Sequence, residues 1–184
     1  MSTPWQRHVA KWKDCDRCSL CETRKRTVLL RGKVPCDVLF IGEAPGTSED
    51  VLGIPFIGPA GRLLDQMIEQ AEPSTLRLAF TNIVACIPKD NGKKAAEPSK
   101  ESILACVDRV AEVVNLCRPR LIVKVGTLSD KWAAKGVDQA APDWEWKWVS
   151  VRHPAFILRA DITQQALEVQ KCVVTLTDAF ERLV

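Results

Sequence analysis

A chain of 184 residues with 46% hydrophobic content can bury one substantial core and is short for two, so one domain over residues 1–184 is predicted. No apolar run follows its first charges, and no stretch approaches the roughly 18 to 20 apolar residues of a membrane span. A soluble, cytoplasmic monomer without membrane contact is expected, and a net charge of +3 says little by itself about partners.

The charge is unevenly placed. Residues 1–35 carry nine Lys/Arg, Arg24-Lys25-Arg26 among them, against Asp14, Asp16 and Glu22. Such a segment suits a phosphate-bearing partner, because neutralised phosphates release counterions, and it equally suits a solvated face. Eight cysteines without a secretory leader point away from disulfides and toward a metal or cluster. Cys15-x2-Cys18 near the N-terminus is followed by a third cysteine, Cys21.

Val38–Ile41 is a continuous apolar run ending at Gly42, as expected of a strand buried on both faces of a parallel sheet. Leu63, Leu64, Met67, Ile68 and Ala71 fall on one helical face, and a second buried strand is predicted at Leu78–Val84. Pro88–Pro98 reads as a polar loop. Ser99 is a candidate N-cap for a helix whose apolar positions are Ile103, Val107, Val110 and Val114. A third run, Leu121–Val125, precedes Trp144, Trp146 and Trp148, whose alternation with charged residues predicts a half-exposed strand reaching His153-Pro154. The indoles are read as packing rather than base-stacking groups. A final helix after Asp161 carries Val169, Val173, Leu176, Phe180 and Leu183 as one stripe. Strands alternating with helices predict a three-layer α/β/α domain around a central, mostly parallel sheet. Ligands of such sheets bind beyond the carboxyl ends of the strands, where Gly42–Gly46, Thr81-Asn82 and His153-Pro154 are expected to converge.

Two groups of residues carry chemistry. Cys15 and Cys18 in one segment, with Cys86 and Cys106 at the edges of the polar loop, are four thiolates suited to a [4Fe-4S] cluster or a zinc ion, and spacing alone does not separate these. Cys36, Cys117 and Cys172 lie in apolar segments and are expected as buried thiols. The second group is Gly42-Glu-Ala-Pro-Gly46, the pair Glu49-Asp50, Gly53-Ile-Pro-Phe-Ile-Gly-Pro-Ala-Gly61, Thr81-Asn82 and His153-Pro154. Taken singly, each has a plain reading as a turn, a strand end or core.

Together and in this order they resemble the family 4 uracil-DNA glycosylases, from about Cys15 to the last helix. The resemblance implies a DNA partner and hydrolysis of the N-glycosidic bond of a base flipped from the stack, uracil first, to begin base excision. It implies a [4Fe-4S] cluster on Cys15, Cys18, Cys86 and Cys106, pinning residues 1–36 to the domain; Cys21 is left out because no cysteine follows at Lys25, where a ferredoxin spacing would place it. By position in the pattern, Phe56 is the stacking plate and Asn82 the base reader, with Gly42, Ala44 and Gly46 lining the base. His153 is the donor to O2 of the leaving pyrimidine. Glu43 handles water, with Asp50 as competing candidate. Backbone amides of Gly58–Gly61, Arg152 and Arg159 are expected near phosphates.

Two departures qualify this. Family members carry K-C-R-P-P after the TN strand, where this chain reads Ala85-Cys-Ile-Pro-Lys89, and many have HPS where it has His153-Pro-Ala155. Gly46, a glycine the family shares, stands where better-known uracil glycosylases place a tyrosine against C5 substituents. Two alternatives therefore stand beside the first reading: excision of a bulkier modified pyrimidine, as in phage DNA, and a cluster-bearing DNA-binding module without catalysis.

Overall fold

The computed structural model describes residues 2–73, 75–90, 94–140 and 144–183. In chain order the elements are α1 (Pro4–Trp12), β1 (Arg31–Gly32), β2 (Val38–Gly42), α2 (Thr47–Leu52), α3 (Pro59–Gln70), β3 (Leu78–Asn82), β4 (Lys89–Asp90) and β5 (Lys94–Ala95). They continue with α4 (Lys100–Ala105), α5 (Val107–Cys117), β6 (Leu121–Val125), α6 (Thr127–Asp138), β7 (Lys147–Val151), α7 (Pro154–Ile157) and α8 (Ile162–Glu181). Five strands form one sheet in the order β1-β3-β2-β6-β7, parallel except for β1.

Every residue of β2 is buried, as its unbroken apolar run requires of a central strand covered on both faces. Phe40 and Val123 belong to a cluster with Leu64, Met67, Leu176 and Phe180 from α3 and α8. Leu39, Ile41 and Ile122 point to the other face, against Ile103, Val110, Val114 and Val137 from α4, α5 and α6. The predicted three-layer arrangement is the one observed, and the stripes of α3 and α8 face the sheet. Asp161 caps α8, accepting from the amide of Gln164 at 3.0 Å.

Three elements differ in detail. The helix predicted from Ser99 is two helices that meet at Cys106. The tryptophan strand begins only at Lys147, because the Trp144 indole donates to the carbonyl of Pro119 at 3.1 Å, which holds that segment off the ladder. Trp144, Trp146 and Trp148 pack on the α5/α6 side of the sheet. The polar loop from Pro88 includes the two-residue ladder of β4 with β5, while residues 91–93 lie outside the described residues.

The basic N-terminal segment is anchored through α1. Glu112 on α5 accepts from the Trp12 indole at 2.7 Å, bonds Nδ1 of His8 at 2.9 Å and pairs with Lys11. Arg17 reaches Asp108 at 2.7 Å, and the amide of Val28 donates to the carbonyl of Ala85 at 2.7 Å. Cys15 and Cys18 are thereby carried beside the residues that follow β3. Among the described residues no helix is long and apolar enough to cross a membrane.

Candidate active site

Register determines what meets at the carboxyl edge of the sheet. Gly42 lies directly opposite Asn82 in the parallel pairing of β2 with β3, so Glu43 leaves the sheet beside the Asn82 amide. A Cβ on Gly42 would stand 2.4 Å from the Phe56 ring and 2.5 Å from Asn82 Oδ1. Glycine there is what lets an aromatic plate and an amide approach each other. From the far side of the sheet β7 delivers His153, and Gly126, at φ +91°, passes close beneath its ring.

These side chains line one cleft of about 790 Å³. Glu43, Ala44, Gly46, Phe56, Asn82 and His153 all contribute to its wall, as do Gly58 to Gly61 at the start of α3. Lys131 of α6 and Arg159 border it as cations, and Glu97 as a second carboxylate. Arg152, expected at the same edge, turns away to Glu168 at 3.3 Å.

Asp50 is not part of this wall. It is 2% exposed, accepting from the backbone amide of Lys25 at 2.8 Å and pairing with Lys89 at 3.2 Å. Its carboxylate is committed to fastening the N-terminal segment, which leaves Glu43 as the candidate for handling water. The neighbouring Glu49 has a function that sequence reasoning missed. It accepts from the amides of Gly46, Ile57 and Gly58 at 3.1, 3.0 and 2.7 Å and so ties two wall segments together. Phe56 sits between them with φ +55°, a conformation costing an aromatic residue about 1 kcal/mol or more, which these bonds help offset. A glutamate three positions after the helix N-cap Gly46 was the readable signal.

The electrostatics assign proton positions. Nδ1 of His153 accepts from the amide of Ala155 at 3.1 Å, so a neutral ring carries its proton on Nε2. Burial and then the nearby Arg159 cation lower the imidazole pKa, which favours that neutral form. Glu43 is shifted upward, by burial first and Glu97 second. The cleft thus pairs a hydrogen-bond donor with a carboxylate of raised proton affinity.

A separate, enclosed cavity lies under α1. Cys15, Cys18, Cys86 and Cys106 line it together with Trp12, Arg24 and Arg109, and all four are free thiols. Burial pushes the Cys86 thiol up to about 12, so a thiolate there calls for a cation. Among the described residues no three His, Cys, Asp or Glu side chains form an ion-holding group; the four thiols share the cavity without closing on a single ion. Cys21 is not among its lining residues, and Cys36, Cys117 and Cys172 are buried elsewhere.

A family model described as "Uracil DNA glycosylase superfamily" matches residues 31–177. The chain is 35% identical over 119 residues to the type-4 uracil-DNA glycosylase of Pyrobaculum aerophilum, covering 65% of this chain and 59% of that protein. It is 35% identical over 122 residues to that of Saccharolobus solfataricus, covering 66% and 55%. The match thus spans little more than half of these two relatives. With the type-4 enzyme of Archaeoglobus fulgidus identity is 28% over 159 residues, 78% of each chain. The crystal structure of Pedobacter heparinus SMUG2 shares the fold, with a TM-score of 0.58 and 18% identity over 79% of this chain and 75% of that one.

Proposed function

The chain belongs to the uracil-DNA glycosylase superfamily, and from that premise we propose that it hydrolyses the N-glycosidic bond of uracil in DNA. The observation that carries the proposal is the common cleft of Glu43, Asn82 and His153. A base inside a duplex is out of reach of any side chain, so the nucleotide is extruded into the cleft. Phe56 then stacks on the base. The Asn82 amide offers an acceptor to N3–H and a donor to O4, a pattern that cytosine does not complement. As the bond breaks, negative charge moves onto the pyrimidine, and Nε2–H of His153 donates to O2, where that charge collects. Glu43, ionised, favours the positive character of the sugar and orients water toward C1′. Lys131, Arg159 and the amides at the start of α3 suit the flanking phosphates.

Cys15, Cys18, Cys86 and Cys106 are proposed to hold a [4Fe-4S] cluster, four thiols around one cavity being the donor set it needs. When bound, the cluster supplies a cross-link between the N-terminal segment, the residues after β3 and the α4–α5 junction. Protein purified anaerobically is expected to be brown, to absorb at roughly 400 nm and to contain about four irons. A colourless protein with one zinc overturns the assignment.

Excision of a bulkier pyrimidine is favoured by one observation: Gly46 borders the cleft without a side chain. Duplexes containing uracil, hypoxanthine or C5-substituted cytosines, scored by alkaline cleavage at abasic sites, separate the readings. Uracil release at ordinary rates is expected. Release confined to the substituted cytosines replaces uracil as substrate, and salt-sensitive binding with no abasic product leaves a DNA-binding module.

The raised pKa of Glu43 fixes the sign of the pH dependence. A carboxyl that holds its proton to higher pH is ionised only above the ordinary glutamate range, so activity falls as pH drops through that raised value. His153, shifted downward by burial and then by Arg159, keeps its neutral form to lower pH than an ordinary imidazole does. Removing the repelling charge with Glu97→Gln moves the acid limb to lower pH, modestly, since burial is the larger cause. A limb that does not move in a pH–rate profile of single-turnover release argues against Glu43 as the titrating group.

A further inference from the structure

Arg109 lies on α5 and is 1% exposed, yet its bonds run to neutral oxygens. Nη1 donates to the hydroxyl of Thr81 at 3.1 Å, and Nη2 to the carbonyl of Ile83 at 3.0 Å and to that of Asn82. The Thr81 hydroxyl itself donates to the carbonyl of Leu29 at 2.7 Å, which leaves its oxygen as acceptor for the guanidinium. Among the described residues no carboxylate pairs with Arg109, and its Nε is buried without a partner. A buried cation is costly unless an opposite charge lies near it. Arg109 also lines the cavity of Cys15, Cys18, Cys86 and Cys106. Four thiolates on a four-iron cluster retain net negative charge, and that is the counter-charge the guanidinium lacks.

We propose that Arg109 is a positioning residue which, held by the negative charge of the cysteine centre, fixes the backbone of Asn82 and so couples the metal-binding cavity to the base-reading amide. The inference rests on the roles proposed above for the four cysteines and for Asn82. The guanidinium does two separable things. Its fork grips three oxygens at the end of β3, and its charge offsets the thiolates. Lysine retains the charge without the fork, and methionine retains neither while filling similar space.

The test compares the anaerobically purified, iron-loaded parent with Arg109→Lys and Arg109→Met. Iron loss to a chelator and the reduction potential of the cluster read the charge, and single-turnover release of uracil against cytosine reads the fork. Arg109→Met is expected to lose iron severalfold faster than the parent and to shift the potential to more negative values. Arg109→Lys is expected to match the parent in both. Each variant is expected to release uracil at least tenfold more slowly, with a narrower preference over cytosine. A residue that merely fills space predicts the same iron loss and potential for lysine and methionine, and that result overturns the proposal. Uracil release within threefold of the parent in Arg109→Lys overturns it as well. If Arg109→Met does not accumulate, Arg109→Lys still decides, since only parent-like iron retention combined with slowed release supports the coupling. A parent that releases no base defeats the proposed activity, whereas the iron-loss comparison still tests the charge.

Discussion

Replacement of His153 by alanine is expected to slow uracil release by roughly a hundred- to a thousandfold, the loss typical of removing one preorganised donor to a developing oxyanion. The size of the effect follows from how the ring is held. The Ala155 amide occupies Nδ1 at 3.1 Å, so the proton is on Nε2 without any rearrangement during reaction. Burial favours the uncharged imidazole, and a donor that starts neutral gives up no solvation of its own as charge arrives at O2. The alanine variant also loses the cap bond of α7, worth about 1 kcal/mol, so a melting curve accompanies the kinetics to separate stability from rate. His153→Gln, which can present an amide donor, is expected to recover part of the rate. Single-turnover release within threefold of the parent in the alanine variant removes His153 from the reaction.

The second large effect is expected at Asn82. Asn82→Asp places a carboxylate against O4 of uracil, where the amide offered a donor, and leaves that oxygen without a partner. An unpaired polar group in a closed site costs about 1 to 3 kcal/mol, so uracil release is expected to fall roughly five- to 150-fold by that reckoning. The same carboxylate accepts from the exocyclic amine of cytosine, and discrimination between the two bases is expected to collapse. Because Asn82 is 3% exposed and its backbone is held by Arg109, the substitution changes the recognition pattern with little displacement of the strand. Paired assays on duplexes that differ only in uracil or cytosine give the ratio directly. A ratio equal to that of the parent excludes Asn82 as the reader.

What could be read from the residues follows physical lines. Of the strands that anchor the site, β2 and β3 were legible because burial on both faces leaves an unbroken apolar run, and β7 because alternation marks a half-exposed strand; a parallel sheet sends ligands to its carboxyl ends. Glu43, Asn82 and His153 therefore meet at one edge as expected. Asp50 stood beside Glu49 in the chain, and only the spacing of Glu49 from the N-cap Gly46 distinguished the two carboxylates; the α2 turn directs Asp50 to the N-terminal segment and Glu49 to the loop amides. Lys131 went unnoticed because α6, mixing Gly136 and charged residues with its few apolar positions, gives a weak periodic signal. Arg109 was hidden for the opposite reason. One arginine within a good helical pattern reads as solvated, and only the packing of α5 over β3 shows that it is buried. The break at Cys106 escaped too, since the apolar spacing continues across it.

The pairing of Gly42 with Asn82 constrains how the chain can vary in length. In a strand, side chains alternate between faces, so an insertion or deletion of one residue within Leu78–Asn82 rotates the amide to the opposite side of the sheet. Added residues between Gln70 and Leu78 are absorbed by the connection and leave that partnership intact. Descendants of this chain can drift in size between the strands, while within them even a single-codon slip separates the carboxylate from the amide it works beside.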